Sequence, residues 1–215
     1  MDLGKISPKN INSALFGGQI QSNEVDKLMS LVKIPPGSKV LEIGCGKGKA
    51  LACLGEKLRG SGVEVELSGI DVCPADIEEG RRLLEGKGVK AAVSCQDAAR
   101  LPFPDGYFDL VYGLAVLHHI PDWPQAIAEA FRVLKDGGWY YVVENTRPFF
   151  RLPMAKRLDH ACSIFSKDEL LKMLREKGFA VLMWEQRGFY KHVLHGSVRI
   201  LAKKPSLTPE VSPAL

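Results

Sequence analysis

The sequence predicts an α/β protein built on a doubly wound, mostly parallel sheet. Three observations carry that expectation. Short apolar runs rich in β-branched residues alternate with stretches of helical period through the main body of the chain, the pattern of crossover units whose sheet is covered on both faces. The first run ends with glycine at every second position, in VLEIGCGKG from Val40 to Gly48, and continues as a helix. The last two runs, Ala180–Tyr190 and His192–Lys203, have no helix between them and read as an antiparallel pair at one edge.

Taken in order, a helix is expected over Glu24–Lys33, stopped by Pro35-Pro36-Gly37, which also starts the first strand, Lys39–Ile43. A helix over Lys47–Arg59 leads to a strand within Val63–Val72. Pro74 suits the first turn of the next helix, Pro74–Glu85, where its missing N–H has no partner to lose, and Gly86 and Gly88 end it. Strands follow over Val89–Cys95 and Phe108–Gly113. Then come a helix over Trp123–Leu134, a turn at Asp136-Gly137-Gly138 and a strand over Trp139–Glu144. Ser166 with Glu169 forms a capping box at the head of a helix over Lys167–Lys177. The 215 residues suit one domain, with a cap segment over 1–36, a core over 37–203 and a tail over 204–215. The tail has three prolines and no periodicity, and is expected to be disordered.

Composition narrows the possible functions. Hydrophobic residues are 46% and charged residues 25%, the balance of a soluble globular chain. No apolar run approaches the roughly 18 residues of a membrane span. The opening MDLGKISPKNINSALF has no sustained apolar core and does not read as a signal peptide. The net charge of +4 is mixed along the chain rather than striped, which is not the footprint of a nucleic-acid binder. Five cysteines, Cys45, Cys53, Cys73, Cys95 and Cys162, are odd in number and form no C-x-x-C pair. That argues against a disulfide framework or a zinc site, and leaves buried free thiols in a reducing cytoplasm as the expectation.

A strand that stops in G-x-G-x-G and continues as a helix lets a ligand press against bare backbone and meet free N–H groups. No register supplies the P-loop spacing. The dinucleotide pattern G-x-G-x-x-G fails because Lys49 stands at its last position. Glu42 beside the turn is unwelcome near pyrophosphate and suits a ligand with a positive end. The second strand ends in Asp71, where a carboxylate can accept both hydroxyls of a ribose, and the third ends in Asp97, where one can accept from an adenine amine. In a parallel sheet these strand ends converge on one crevice. Together they describe an adenosine with a cationic, amine-bearing tail and no phosphate, the shape of S-adenosylmethionine.

The segments VLEIGCGKG, GIDVCP, CQDAARLPFPDGYFDLVYGLAVLHHI and AIAEAFRVLKDGGWYYVVE, in that order, resemble those of class I S-adenosylmethionine-dependent methyltransferases. That large group includes many small-molecule methyltransferases. The resemblance is close from Lys39 to Glu144 and looser at the C-terminal edge. It implies a Rossmann-like seven-stranded sheet of order 3-2-1-4-5-7-6 with strand 7 antiparallel. It also implies that Glu42, Gly44, Cys45, Gly46 and Gly48 lie by the methionine part of the cofactor, Asp71 by the ribose, and Asp97 with Ala98 by the adenine. Val72 would pack on the adenine face, and the backbone near Leu114 would meet the methionine amine. The product would be S-adenosylhomocysteine.

Displacement at a sulfonium methyl has a neutral leaving group, so the protein need supply alignment and a dry pocket rather than a metal or a nucleophile. An acceptor hydroxyl or acidic carbon is helped by a base. His118 and His119 follow the fourth strand on the crevice rim, and either is a candidate base, His119 first. His119 lies one helical turn after Ala115 and would share a face with it on a short helix. A metal-using branch of the family, which methylates quinone precursors, carries E-x-x-E-H here. This chain has Ala115, His118 and His119 without both carboxylates, so no metal is expected. The stretch TRPFFRLPMAKRLDHACSIF combines bases with Phe149 and Phe150 and suits an acidic aromatic or amphipathic small-molecule acceptor. Its length suggests a lid over Arg147–Phe165. A macromolecular methyltransferase and a non-catalytic S-adenosylmethionine-binding protein stay open as alternatives.

Overall fold

The structure is a computed structural model that describes residues 18–146, 162–188 and 195–206. Among the described residues, helix α1 spans Gly18–Leu31, α2 Lys49–Gly60, α3 Pro74–Gly86, α4 Trp123–Val133 and α5 Lys167–Glu176. The strands are β1 Lys39–Ile43, β2 Glu66–Asp71, β3 Ala91–Cys95, β4 Phe108–Leu114, β5 Leu134–Asn145, β6 Ala180–Gly188 and β7 His195–Lys203. They form one seven-stranded sheet of order β3-β2-β1-β4-β5-β7-β6. β1 to β5 pair in parallel, and β7 lies antiparallel to both β5 and β6. The chain reverses direction outward from β1, so the carboxyl ends of β1, β2 and β4 open a crevice at the switch point.

Each central strand is apolar on both faces, and alternation sorts its residues between two cores. Leu41 and Ile43 of β1 join Val111 of β4 and Tyr140 and Val142 of β5 against α4 and α5. Val40, Leu110, Tyr112 and Tyr141 face the other way, against α1, α2 and α3. A buried Leu or Ile at such a position contributes about 1.5–3 kcal/mol relative to exposure.

α1 is tied to the sheet by charge as well as by Val25 and Leu28. Arg199 of β7 donates from Nε and Nη2 to the two oxygens of buried Glu24 at 3.0 and 3.1 Å, and Tyr141 Oη donates to the same carboxylate at 2.9 Å. Arg199 Nη1 also pairs with Glu185. Removing either member of such a buried pair leaves an uncompensated charge.

The capping box is present, with Glu169 N donating to Ser166 Oγ at 3.2 Å and Ser166 N to Glu169 Oε2 at 2.6 Å. Several expectations are corrected. Asp136-Gly137-Gly138 is not a turn ahead of β5 but an irregularity inside it, where the register with β4 shifts between Phe108 and Leu110. Gly137 takes φ 77°, which lets the strand bulge and continue. Lys204 does not belong to a loose tail, since it exchanges backbone bonds with Gly137 and Gly138 at 2.9 Å each. Of the five free thiols only Cys45 is buried, and Cys95 and Cys162 are exposed. The expected lid lies outside the described residues from Arg147 to Ala161, and so does the tail from position 207 onward.

Candidate active site

The glycine turn is shaped by what surrounds it. Gly44, Gly46 and Gly48 take φ of 72°, 48° and 69°, where a side chain is strained. A Cβ on Gly44 would stand 2.2 Å from Val116 Cγ2. From the other side Gly80 of α3 brings its backbone against the turn, and a Cβ there would lie 3.2–3.3 Å from Lys47, Gly46 and Gly48. The turn is thus wedged between a helix and Val116, with no room for side chains at its tight points.

Asp71, at the end of β2, braces this turn. Gly46 N donates to its Oδ2 at 3.0 Å and Cys73 N to its Oδ1 at 2.9 Å. Each oxygen keeps a second lone pair for a ligand. Asp97, after β3, is exposed and accepts from Ala99 N through Oδ1 at 2.9 Å. The segment that follows it is pinned to α4. Leu101 N donates to Glu129 Oε2 at 2.7 Å, and Arg132 donates to Glu129, Asp105 and the carbonyls of Leu101 and Phe103. The Arg132 pairing draws the Glu129 carboxyl below its ordinary range.

A cleft of about 400 Å³ opens at these strand ends. Asp71, Val72, Asp97 and Ala98 line one side. Ala115, Val116, His119, Ile120 and Pro121 line the other, with Gly44 between. Val72 is 69% exposed, an apolar side chain left open on the cleft wall. Glu42, Cys45, Gly46, Gly48, Leu114 and His118 do not line it.

Glu42 sits behind the turn, on the α1–α3 face, 2% exposed. Tyr112 Oη donates to its Oε2 at 2.9 Å. Burial raises its pKa to about 8, because desolvation outweighs that hydroxyl and the Leu51 amide, and the nearby Asp71 charge adds to the rise. Burial likewise pushes the Cys45 thiol upward, assisted by Glu42 and Asp71. The sequence placed Glu42 against a cationic ligand, whereas the fold puts the glycine turn in front of it.

The histidines sit on a tight turn rather than a full helix. Ala115 takes φ 57°, rare for a residue with a Cβ, and a single 3-10 turn follows at Leu117–His119. The helical face expected to join Ala115 to His119 therefore does not form, although both residues line the cleft. His119 faces the cleft, while His118 is 1% exposed and packs against the His119 ring at 4.1 Å between centroids. Cys162 N and Ser163 N each donate to the His118 carbonyl at 2.9 Å, and Phe165 packs on Trp123 at 4.6 Å. The last residues of the expected lid are thus fastened to this turn.

Glu144, missed in the sequence, ends β5 on the α4–α5 face and is fully buried. Its Oε1 accepts from Val116 N and Leu117 N at 2.7 Å each, and its Oε2 lies 2.6 Å from His118 Nδ1. The signal that marked Asp71 and Asp97, an acid at the carboxyl end of a parallel strand, stands in WYYVVEN too. Ile120, Pro121 and Gln96, which also line the cleft, carried no such signal.

The donor set fits S-adenosylmethionine. The cleft offers carboxylate lone pairs at Asp71 and Asp97, an open apolar wall at Val72 and a bare backbone turn. Strand order and strand-end cleft together define the class I methyltransferase architecture. Residues 41–142 match the family described as "Methyltransferase domain". A ubiquinone/menaquinone biosynthesis C-methyltransferase, UbiE of Cupriavidus metallidurans, is 41% identical over 137 residues, 64% of this chain and 55% of that protein. The [4+2]-cyclase SpnF has the same fold with TM-score 0.73 at 23% identity, over 86% of this chain and 81% of its own. So has a SAM dependent methyltransferase from Aquifex aeolicus, with TM-score 0.71 at 18% identity, over 93% and 100%. Over residues 41–142 the chain is similar to methyltransferase domains, and its strand order is that of the class I S-adenosylmethionine-dependent methyltransferases. It spans about half the length of the curated relatives it matches.

Proposed function

We propose that the protein transfers a methyl group from S-adenosylmethionine to a small, apolar aromatic acceptor, in the manner of a reduced quinone ring. The observation that carries this reading is the cleft itself, with carboxylates on its cofactor side and Val116, Ile120, Pro121 and His119 on the opposite side. The 41% identity to a quinone-pathway C-methyltransferase supports the acceptor class. The shared fold of a [4+2]-cyclase shows why the site, and not the fold, has to carry the argument.

Bound S-adenosylmethionine supplies an activated methyl group on a sulfonium. Asp71 accepts from the ribose hydroxyls and Asp97 from the adenine amine, while Val72 covers the adenine face and Ala98 lies beside it. The glycine turn Gly44, Cys45, Gly46 and Gly48, backed by Glu42, and the backbone at Leu114 receive the methionine end. His119 takes a proton from the acceptor hydroxyl, which makes the ring electron-rich at the carbon to be methylated; the sulfur would leave as a neutral thioether, and the ring proton on that carbon would pass to solvent as aromaticity returns. No metal takes part in this scheme. Among the described residues no helix is long and apolar enough to cross a membrane, and we place the reaction in the cytoplasm.

Calorimetry with S-adenosylhomocysteine and transfer of a labelled methyl to reduced 2-alkyl-1,4-naphthoquinone test the reading. Saturable binding of the first and label in the ring of the second are expected. Absence of S-adenosylhomocysteine binding, or tight NADH binding instead, would remove it.

A further inference from the structure

We propose that Glu144 is a positioning residue which, through one buried carboxyl group, sets both the tautomer of His118 and the place of Val116 against the glycine turn. The inference rests on the methyltransferase reading for its purpose. Its geometry stands apart from that reading.

The turn after β4 is strained and has to be held. Ala115 takes φ 57°, a conformation that costs on the order of 1 kcal/mol or more for a residue with a Cβ and persists only where neighbours enforce it. Ala115 N is fastened to the Val143 carbonyl at 2.7 Å. The next two amides, of Val116 and Leu117, both converge on Glu144 Oε1 at 2.7 Å. Three successive amides are therefore held by β5, two of them by a single oxygen. Hydrogen bonds to such an acceptor are short and strong for their kind.

Val116 carries the effect to the cofactor side. Its Cγ2 stands where a Cβ of Gly44 would come within 2.2 Å, so the side chain fills the hollow that the glycine leaves. Displacing the Val116 amide moves the side chain that closes the cleft beside Gly44. Glu144 Oε2 carries the effect to the other side. Oε2 faces His118 Nδ1 at 2.6 Å, and we assign the proton of that contact to Nδ1, with Oε2 accepting. The His118 ring packs against that of His119, which lines the cleft. One side chain thus determines how the candidate base is backed and how the cofactor wall is closed.

A glutamine at this position can satisfy only half of these demands. Its oxygen can accept the two backbone N–H groups, but its NH2 then faces Nδ1 and requires that nitrogen to be an acceptor. In Glu144→Gln, nitrogen-15 NMR of the imidazole should therefore show the His118 proton moved from Nδ1 to Nε2. S-adenosylhomocysteine affinity should stay within about twofold of wild type, because Val116 is still held. In Glu144→Ala both holds go, and the affinity should fall at least fivefold. A His118 proton that stays on Nδ1 in Glu144→Gln would overturn the tautomer assignment. Unchanged affinity in Glu144→Ala would overturn the link through Val116. If Glu144→Ala does not fold, the tautomer and the affinity of Glu144→Gln decide alone. A wild-type protein that binds no S-adenosylhomocysteine would instead defeat the methyltransferase reading, and the tautomer result would still stand.

Discussion

Two glutamates are buried at the same edge of the sheet, on opposite faces, and they meet very different surroundings. Glu42 ends β1 toward α1–α3 and has one side-chain partner, the Tyr112 hydroxyl. Glu144 ends β5 toward α4 and meets two backbone amides and an imidazole nitrogen. Burial is near complete for both, so it does not distinguish them. The donors do. Desolvation outweighs the Tyr112 hydroxyl and the Leu51 amide, and the Glu42 carboxyl is held protonated up to about pH 8. Glu42 therefore backs the glycine turn as a neutral wall at neutral pH, while Glu144 organises a turn by accepting from it.

The comparison can be tested from the cleft outward. The largest effect is expected on the histidine side. His119→Ala should lower turnover on a reduced naphthoquinone about 10²–10⁴-fold and leave S-adenosylhomocysteine affinity nearly unchanged. Turnover within threefold of wild type would mean that this wall supplies shape and no base.

Behind the cofactor wall, Glu42 should make stability pH-dependent. Its folded-state pKa of about 8 lies above the ordinary 4.5, so the folded protein keeps a proton that the unfolded chain releases. The associated stabilisation is full below pH 4.5 and is lost as pH rises through about 8, on the order of a few kcal/mol. Glu42→Gln should flatten that decline in denaturant titrations between pH 5 and 9. An equally steep decline in the variant would assign the pH dependence elsewhere.

On the cofactor wall itself, Asp71→Ala removes a charged acceptor and should weaken S-adenosylhomocysteine binding at least tenfold, or about 1.4 kcal/mol. Equal affinities by calorimetry would remove Asp71 from the ribose. The smallest effect is expected far from both walls. Ser166→Ala breaks the capping box of α5 and should cost about 1 kcal/mol of stability without changing affinity. A change in affinity here would show that the α5 face communicates with the cleft, and would blur the contrast between the two glutamates.

Much of this architecture follows from local pattern. The apolar runs at Lys39–Ile43 and Phe108–Gly113 are buried on both faces, and a run of that kind has few other places in a sheet. Glycine at positions 44, 46 and 48 marks backbone that must take positive φ, which is where those residues stand. Pro74 and Ser166 announced helix starts because proline and capping chemistry act within one turn. Asp136-Gly137-Gly138 misled for the same local reason. Its residues prefer a turn, but pairing with β4 and with Lys204 extended the strand through them as an irregularity.

What the sequence by itself determined is therefore the order of elements, the position of the acids Asp71 and Asp97 after their strands and the run of glycines at the first strand's end, all legible from residues close together in the chain. Tertiary structure decided the rest, because burial and partnership depend on which strands lie side by side. Glu42 became a neutral residue behind the turn only when β1 was enclosed between β2 and β4 and its carboxyl was buried, against the pull of the Tyr112 hydroxyl. His118 and His119, adjacent in the chain, were separated into a buried ring and a cleft ring by a turn held from Glu144, 26 residues beyond His118. No spacing rule reaches across such a distance, since the contact exists only after β4 and β5 have paired in parallel.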